Sequence, residues 1–207
     1  MDAPRTLAIV ESSSFTGAVA ALDAAHKAAG VDILQAELND VMGLVLKLVG
    51  ARGDLEAALD AAGQHAAALH ASLTTTLLDA LTPSAWPAIW SPAEHNPLIA
   101  QDVVLLPQEV TPTMAESHAP ALGFIETQGF TAVFQAIDTA CKAANVAVVA
   151  KEKLGGGYIT VVLRGDVAAV KAAVEAGAAK VEGLGKLVAA HVIARPSDAT
   201  LALLPSG

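Results

Sequence analysis

The chain says one thing twice. Residues 6–34 read TLAIVESSSFTGAVAALDAAHKAAGVDIL and residues 121–149 read ALGFIETQGFTAVFQAIDTACKAANVAVV. Leu7, Glu11, Phe15, Thr16, Ala21, Asp23, Lys27 and Val31 return without a gap as Leu122, Glu126, Phe130, Thr131, Ala136, Asp138, Lys142 and Val146. A chain that repeats one pattern folds as repeated units, so the 207 residues are read as two tandem domains of ordinary small size. Residues 1–110 form the first, 111–120 a linker within the Pro-, Thr-, Ser- and Glu-rich stretch from Gln108 to Pro120, and 121–207 the second.

Each copy reads as strand, turn, helix, strand. In the second, an apolar run ends at Glu126, Thr127-Gln128-Gly129 turns, and Phe130, Phe134, Ile137 and Cys141 recur with helical spacing, which predicts a core-facing stripe. Tyr158 to Leu163 is a β-rich run closed by Arg164-Gly165-Asp166. A helix follows from Val167 to about Lys180, and Leu187 to Ile193 is a last strand ended by Arg195-Pro196. In the first copy the same scheme predicts a strand over Gly43–Val49, a turn through Arg52-Gly53-Asp54, a helix from Leu55 and a last strand over Val103–Leu106 closed by Pro107. An insertion over about 75–97, holding Trp86 and Trp90, is expected between that helix and that strand. The fold class is α/β, in an α+β sandwich-like layering: a small, mainly antiparallel sheet per domain with helices packed on it.

Composition narrows the setting. Hydrophobic residues make up 54% but aromatics only 3%, so the excess is aliphatic. A chain this apolar buries strands on both faces or covers surface with other subunits, and an obligate oligomer is expected. No apolar run reaches the roughly 18 residues of a membrane helix. The first residues lack a signal peptide's basic start and apolar core, and the single cysteine, Cys141, cannot close an internal disulfide; both point to the cytoplasm. A net charge of −9 offers no basic stripe for phosphates, so nucleic acid is not expected as a partner.

The stretches ALGFIETQGFTA, CKAANV, KEKLGGGYITVVLRGDVAAVKAAVEAGA and AHVIARPSD span nearly the whole second domain, and it closely resembles the single-domain hexameric shell proteins of bacterial microcompartments. The first domain resembles a divergent copy in the same unpermuted order, so the chain is similar to the tandem-domain shell proteins whose trimers mimic a hexamer. The resemblance implies a flat homotrimeric tile in the microcompartment shell within the cytoplasm. Such a tile packs edge to edge with other shell proteins around encapsulated enzymes and passes small metabolites through a central pore.

By the same resemblance Lys153-Leu154-Gly155-Gly156-Gly157 is the pore loop of the second domain. Glycines there let the backbone approach the axis and present amide N–H groups; a glycine-rich hairpin turn is the plainer alternative. Strand alignment puts Asn39-Asp40-Val41-Met42-Gly43 at the corresponding place in the first domain, with Asp40 either near the axis or in an ordinary solvated turn. The family's tile-edge lysine and Arg-Pro match Lys27 and Lys142, and Arg195 with Pro196; Leu106-Pro107 is read as the first domain's departure from Arg-Pro.

Some trimers of this type hold an iron–sulfur cluster at the pore through one cysteine per chain. Ligation needs thiolates, the two pore segments contain none, and Cys141 is expected as a buried apolar thiol on a helix face; no cofactor or metal is expected. Catalysis is not expected either. His65 and His70 are five apart rather than at the four-residue zinc spacing, neither a nucleophile elbow nor a phosphate-binding glycine loop occurs, and Asp102 and Glu109 read as solvated loop residues. The competing reading is a two-domain small-molecule-binding or signalling protein with its ligand in the cleft between the repeats.

Overall fold

The computed structural model describes residue 4 and residues 6–39, 43–98, 100–108 and 120–204. The first domain opens with β1 (Thr6–Ser12), α1 (Phe15–Ala28), β2 (Val31–Asn39), β3 (Gly43–Gly50), α2 (Arg52–Ala68) and β4 (Leu73–Asp79). Short elements follow: α3 (Trp86–Ile89), β5 (His95–Asn96), β6 (Gln101–Asp102) and β7 (Val104–Leu105). The second domain repeats the opening scheme as β8 (Ala121–Gln128), α4 (Phe130–Ala143), β9 (Val146–Gly155), β10 (Tyr158–Gly165), α5 (Val167–Ala178) and β11 (Lys186–Ile193), and adds α6 (Asp198–Leu203).

The sheets have equivalent orders, β4-β1-β3-β2 extended by β7 and β11-β8-β10-β9, and the described pairings within them are antiparallel. Leu7 faces Leu78 across the first sheet as Leu122 faces Ile193 across the second. The offset that carries Leu7 to Leu122 therefore also carries Leu78 to Ile193, and the repeat runs unbroken to the last strand. This corrects two sequence expectations. The first domain's last strand is β4, not Val103–Leu106, because Leu73–Asp79 makes the ladder with β1 while Val104–Leu105 only touches the far edge, at β2. The extra residues consequently follow the last strand instead of preceding it. The Arg-Gly-Asp that occurs in both halves misleads in the same way: Arg52 is already the first residue of α2, whereas Asp166 caps α5 from outside by accepting a hydrogen bond from Ala168 N–H at 2.9 Å.

Alternation along each strand sends its side chains to two faces. On β8 one face carries Ile125 into a core made with α4 and α5 (Val133, Ala136, Val170 and Val174 among its members). The other face carries Leu122 and Phe124 into a core shared with the first domain, where they join Phe15, Val19 and Leu22 of α1 and Leu203 of α6. Helix α1 is thus enclosed on both sides, by its own sheet and by its neighbour's, and Phe15 and Val19 are each 1% exposed.

The segment after β4 straps the β2–β3 side of the first sheet and reaches the β9 edge of the second. Gln35 Nε2 donates to Ser91 O at 2.9 Å, Ser91 N–H donates back to Gln35 Oε1 at 3.2 Å, and the buried Lys47 ammonium bonds Ile89 O, Gln35 Oε1 and Glu37. Further on, Gln101 pairs with the Lys153 backbone in both directions, receiving its N–H at 2.8 Å.

Candidate functional site

The joint between the repeats is built around one carboxylate. Glu126 ends the inward run of β8 and is fully buried, where an ionised carboxylate needs donors. The first turn of α1 supplies them. Ser14, the N-cap, accepts from Gly17 N–H at 3.0 Å and donates its own hydroxyl to Glu126 Oε2 at 2.9 Å; Thr16 N–H donates to the same oxygen at 2.9 Å and Phe15 N–H to Oε1 at 3.3 Å. The positive end of the helix dipole adds to this. Burial pushes the Glu126 carboxyl up from its ordinary value, and the hydrogen bonds from Thr16, Ser14 and Phe15 pull it part of the way back. At the other end of α1, the buried Asp23 accepts from Ser197 N–H at 2.7 Å and from Thr200 Oγ1 at 3.4 Å, tying α6 to the first domain.

A cavity of about 220 Å³ opens beside this joint, lined by Ser13, Thr16, His70 and His191 among others. That is smaller than the 300–1,000 Å³ typical of small-molecule sites. His191 makes an edge contact with His65 at 5.6 Å between ring centres, and burial, with help from that neighbour, pulls its imidazole below the usual range.

The residues that the resemblance assigns to a pore loop in the second domain lie together at the β9–β10 hairpin. Gly156 and Gly157 have φ of +56° and +82°, the left-handed pair that a two-residue type I′ turn requires, and Gly155 precedes them at +88°. Glycine is demanded there by the turn itself. Gly155 and Gly156 are exposed, whereas Leu154 points back into the shared core and is 5% exposed, and Lys153 is half-buried with its backbone held by Gln101. In the first domain Asp40, Val41 and Met42 fall outside the described residues. Asn39, at their base, donates its amide to Glu11 Oε1 at 3.0 Å and to Ser12 O at 3.2 Å, and its carbonyl receives Gly43 N–H at 2.7 Å, so one side chain holds both ends of that segment.

Lys27 and Lys142 occupy equivalent positions and each pairs with the aspartate one turn earlier, Asp23 and Asp138. Lys142 is the freer, its side chain 74% exposed against 46% for Lys27. Arg195 is exposed and Pro196 buried. The unbroken repeat puts Ala80-Leu81, not Leu106-Pro107, at the place of Arg195-Pro196.

Two expectations about α4 are corrected. Its buried residues are Ala132, Val133, Ala136 and Ala140; Cys141 is exposed, and Phe130 and Phe134 stand 49% and 51% exposed. The apolar periodicity is real, but alanines fill the core side because α5 packs close, leaving the aromatics on the outside. Among the described residues no group of three or more His, Cys, Asp or Glu side chains is placed to hold a metal, and no helix is long and apolar enough to cross a membrane.

Two copies of one α/β unit, each a four-stranded antiparallel ladder with two helices, joined so that a helix of the first is roofed by the sheet of the second, define a tandem duplicated-domain protein. The chain belongs to the BMC domain family, whose sequence model matches it twice, over residues 6–78 and 121–196. Among its relatives, the bacterial microcompartment shell protein PduA of Citrobacter freundii is 51% identical over 87 residues, 42% of this chain and 94% of PduA. The shell protein EutM of Escherichia coli K12 is 48% identical over 87 residues, 42% of this chain and 90% of EutM. A crystal structure of a microcompartments protein from Desulfitobacterium hafniense DCB covers 95% of this chain and 97% of its own at 29% identity, with a TM-score of 0.37.

Proposed function

We propose that this protein is a structural shell component of a bacterial microcompartment, a homotrimeric, pseudohexameric tile in the cytoplasm that packs with other shell proteins and encloses enzymes without acting as one. The observation that carries the reading is the double match: two BMC domains in one chain, which matches over 87 residues relatives that are shell proteins of about one such domain's length. Three chains of two lobes close a six-lobed ring by three-fold symmetry. The hairpin glycines at 155–157 and the segment beginning at Asn39 then alternate around a central pore for small metabolites, and Lys142 with Arg195 meets the neighbouring tile, seconded by Lys27. Among the described residues, the cavity at the joint between the repeats, at about 220 Å³, is small for the small-molecule-binding reading.

Light scattering on the purified chain tests the assembly: three times the 20.8 kDa chain mass is expected, with flat sheets visible by electron microscopy at high protein concentration. A stable monomer that binds a metabolite would replace this reading with the two-domain binding protein.

A further inference from the structure

Each repeat owns two mating parts, a helix (α1 or α4) and the outer face of a sheet, but the chain joins only one pair, α1 on the second sheet. Helix α4 and the β1 side of the first sheet's outer face, around Ile9 and Glu11, are left over, the strap through Ile89 and Ser91 covering the β2–β3 side. We propose that they meet between chains, with Glu11 of one protomer receiving the backbone N–H groups of Phe130 and Thr131 of the partner subunit. The inference rests on the trimeric tile proposed above and adds its joining chemistry.

Four observations point to a second copy as the occupant. Phe130 and Phe134 are the counterparts of Phe15 and Val19; the first pair is about half exposed and the second is sealed at 1%. Glu11 is the counterpart of Glu126 and sits on the same face of the equivalent strand, yet it and Ile9 are only partly covered where Glu126 and Phe124 are fully covered. The first turn of α4 has no side-chain cap, Gly129 standing where α1 has Ser14, so its N–H groups await an acceptor. The acceptor is held ready: Asn39 Nδ2 bonds Glu11 Oε1 at 3.0 Å, which fixes the carboxylate against the face that α4 would cover.

The chain-to-chain joint is therefore a copy of the in-chain joint with one donor fewer, because glycine at 129 has no hydroxyl to give. It also shares a side chain with the pore. Asn39, bonded to Glu11, is the residue that gathers both ends of the first domain's pore segment, so the carboxylate that receives the neighbouring helix is one hydrogen bond from that segment's base.

The test compares the full-length chain with its Glu11→Ala variant by sedimentation velocity across a concentration series, with far-UV circular dichroism as the check on folding. Removing a charged acceptor from a buried joint should raise the concentration at which the trimer dissociates by roughly 10–100-fold while the monomer keeps its fold. A second arm does not depend on stability: Glu11→Cys combined with Thr131→Cys, in a Cys141→Ser background, should cross-link between chains with a short bis-maleimide to covalent dimers and closed trimers. If Glu11→Ala does not fold, the cross-link decides alone. A wild-type monomer at every concentration overturns the trimeric tile and this joint with it. A wild-type trimer whose Glu11→Ala variant dissociates at the same concentration, or a double-cysteine trimer that yields no inter-chain cross-link, overturns the joint and leaves the tile standing.

Discussion

Glu152→Gln should stabilise the protein at pH 8 and leave it unchanged at pH 4. Glu152 lies on β9 opposite Thr160, is 8% exposed, and its Oε2 is buried without a hydrogen-bond partner among the described residues. Burial pushes its carboxyl up to about 7, and the nearby Asp102 charge adds in the same direction. A carboxyl whose folded value lies above its unfolded value of 4.5 binds its proton more tightly in the native state. Its contribution to stability is then full below about 4.5 and is lost as pH rises through about 7. Once it is ionised in both states the folded chain has lost about 3 kcal/mol relative to a neutral side chain of the same shape. The amide of glutamine needs an acceptor of its own, so the recovered part is about 1–3 kcal/mol, which for a chain of this size is a rise in Tm of about 2–10 °C.

The same substitution at the equivalent position of the first domain should have the opposite sign. Glu37 pairs with Lys47, which is 5% exposed and has its counterpart in Val162 of the second domain. Glu37→Gln still offers the buried ammonium an amide oxygen but removes the negative charge paired with it, a loss on the order of 1–3 kcal/mol at pH 8. Thermal melts of both variants and the wild type at pH 4 and pH 8, at one protein concentration so that mass action on assembly is constant, read both effects. A Glu152→Gln gain that is equal at the two pH values, or no gain at pH 8, would refute the reasoning.

Lys142→Ala should change Tm little, since an exposed pair with Asp138 contributes only a few tenths of a kcal/mol, yet abolish incorporation into sheets, with Lys27→Ala milder; sheet yield by electron microscopy decides, and wild-type incorporation by Lys142→Ala would make the lysine a plain solvated helix end. Gly156→Phe must adopt φ near +56° and should cost about 1–2 kcal/mol, keep the trimer and lower metabolite flux through assembled shells, and undiminished flux would remove the hairpin from the pore. Asp23→Ala orphans the buried Ser197 N–H and should lower stability by about 1–3 kcal/mol with release of α6, read as faster amide exchange over 197–203; unchanged exchange would count against the tie.

How much of this was legible in the chain depends on where the two copies still agree. The repeat carried the domain count, the strand–helix–strand order and the equivalence of Glu11 with Glu126, because a buried carboxylate that must be satisfied by a helix N-terminus constrains the residues on both sides of the joint. The first domain's last strand was missed because Thr74, Thr75 and Thr76 are exposed and carry no apolar alternation, while Val103 to Leu106 looks like a strand and is only a two-residue contact with β2. The outward stripe of α4 was legible as periodicity and silent on direction. Phe130 and Phe134 satisfy helical spacing whether they face a sheet of their own domain or one that belongs to another, and only the pairing of alanines with α5 decides which. That ambiguity is physical: a surface of the kind proposed here to be buried by a second copy has the composition of a core, and the sequence distinguishes it from one only through the repeat, where the same stripe on α1 is already covered.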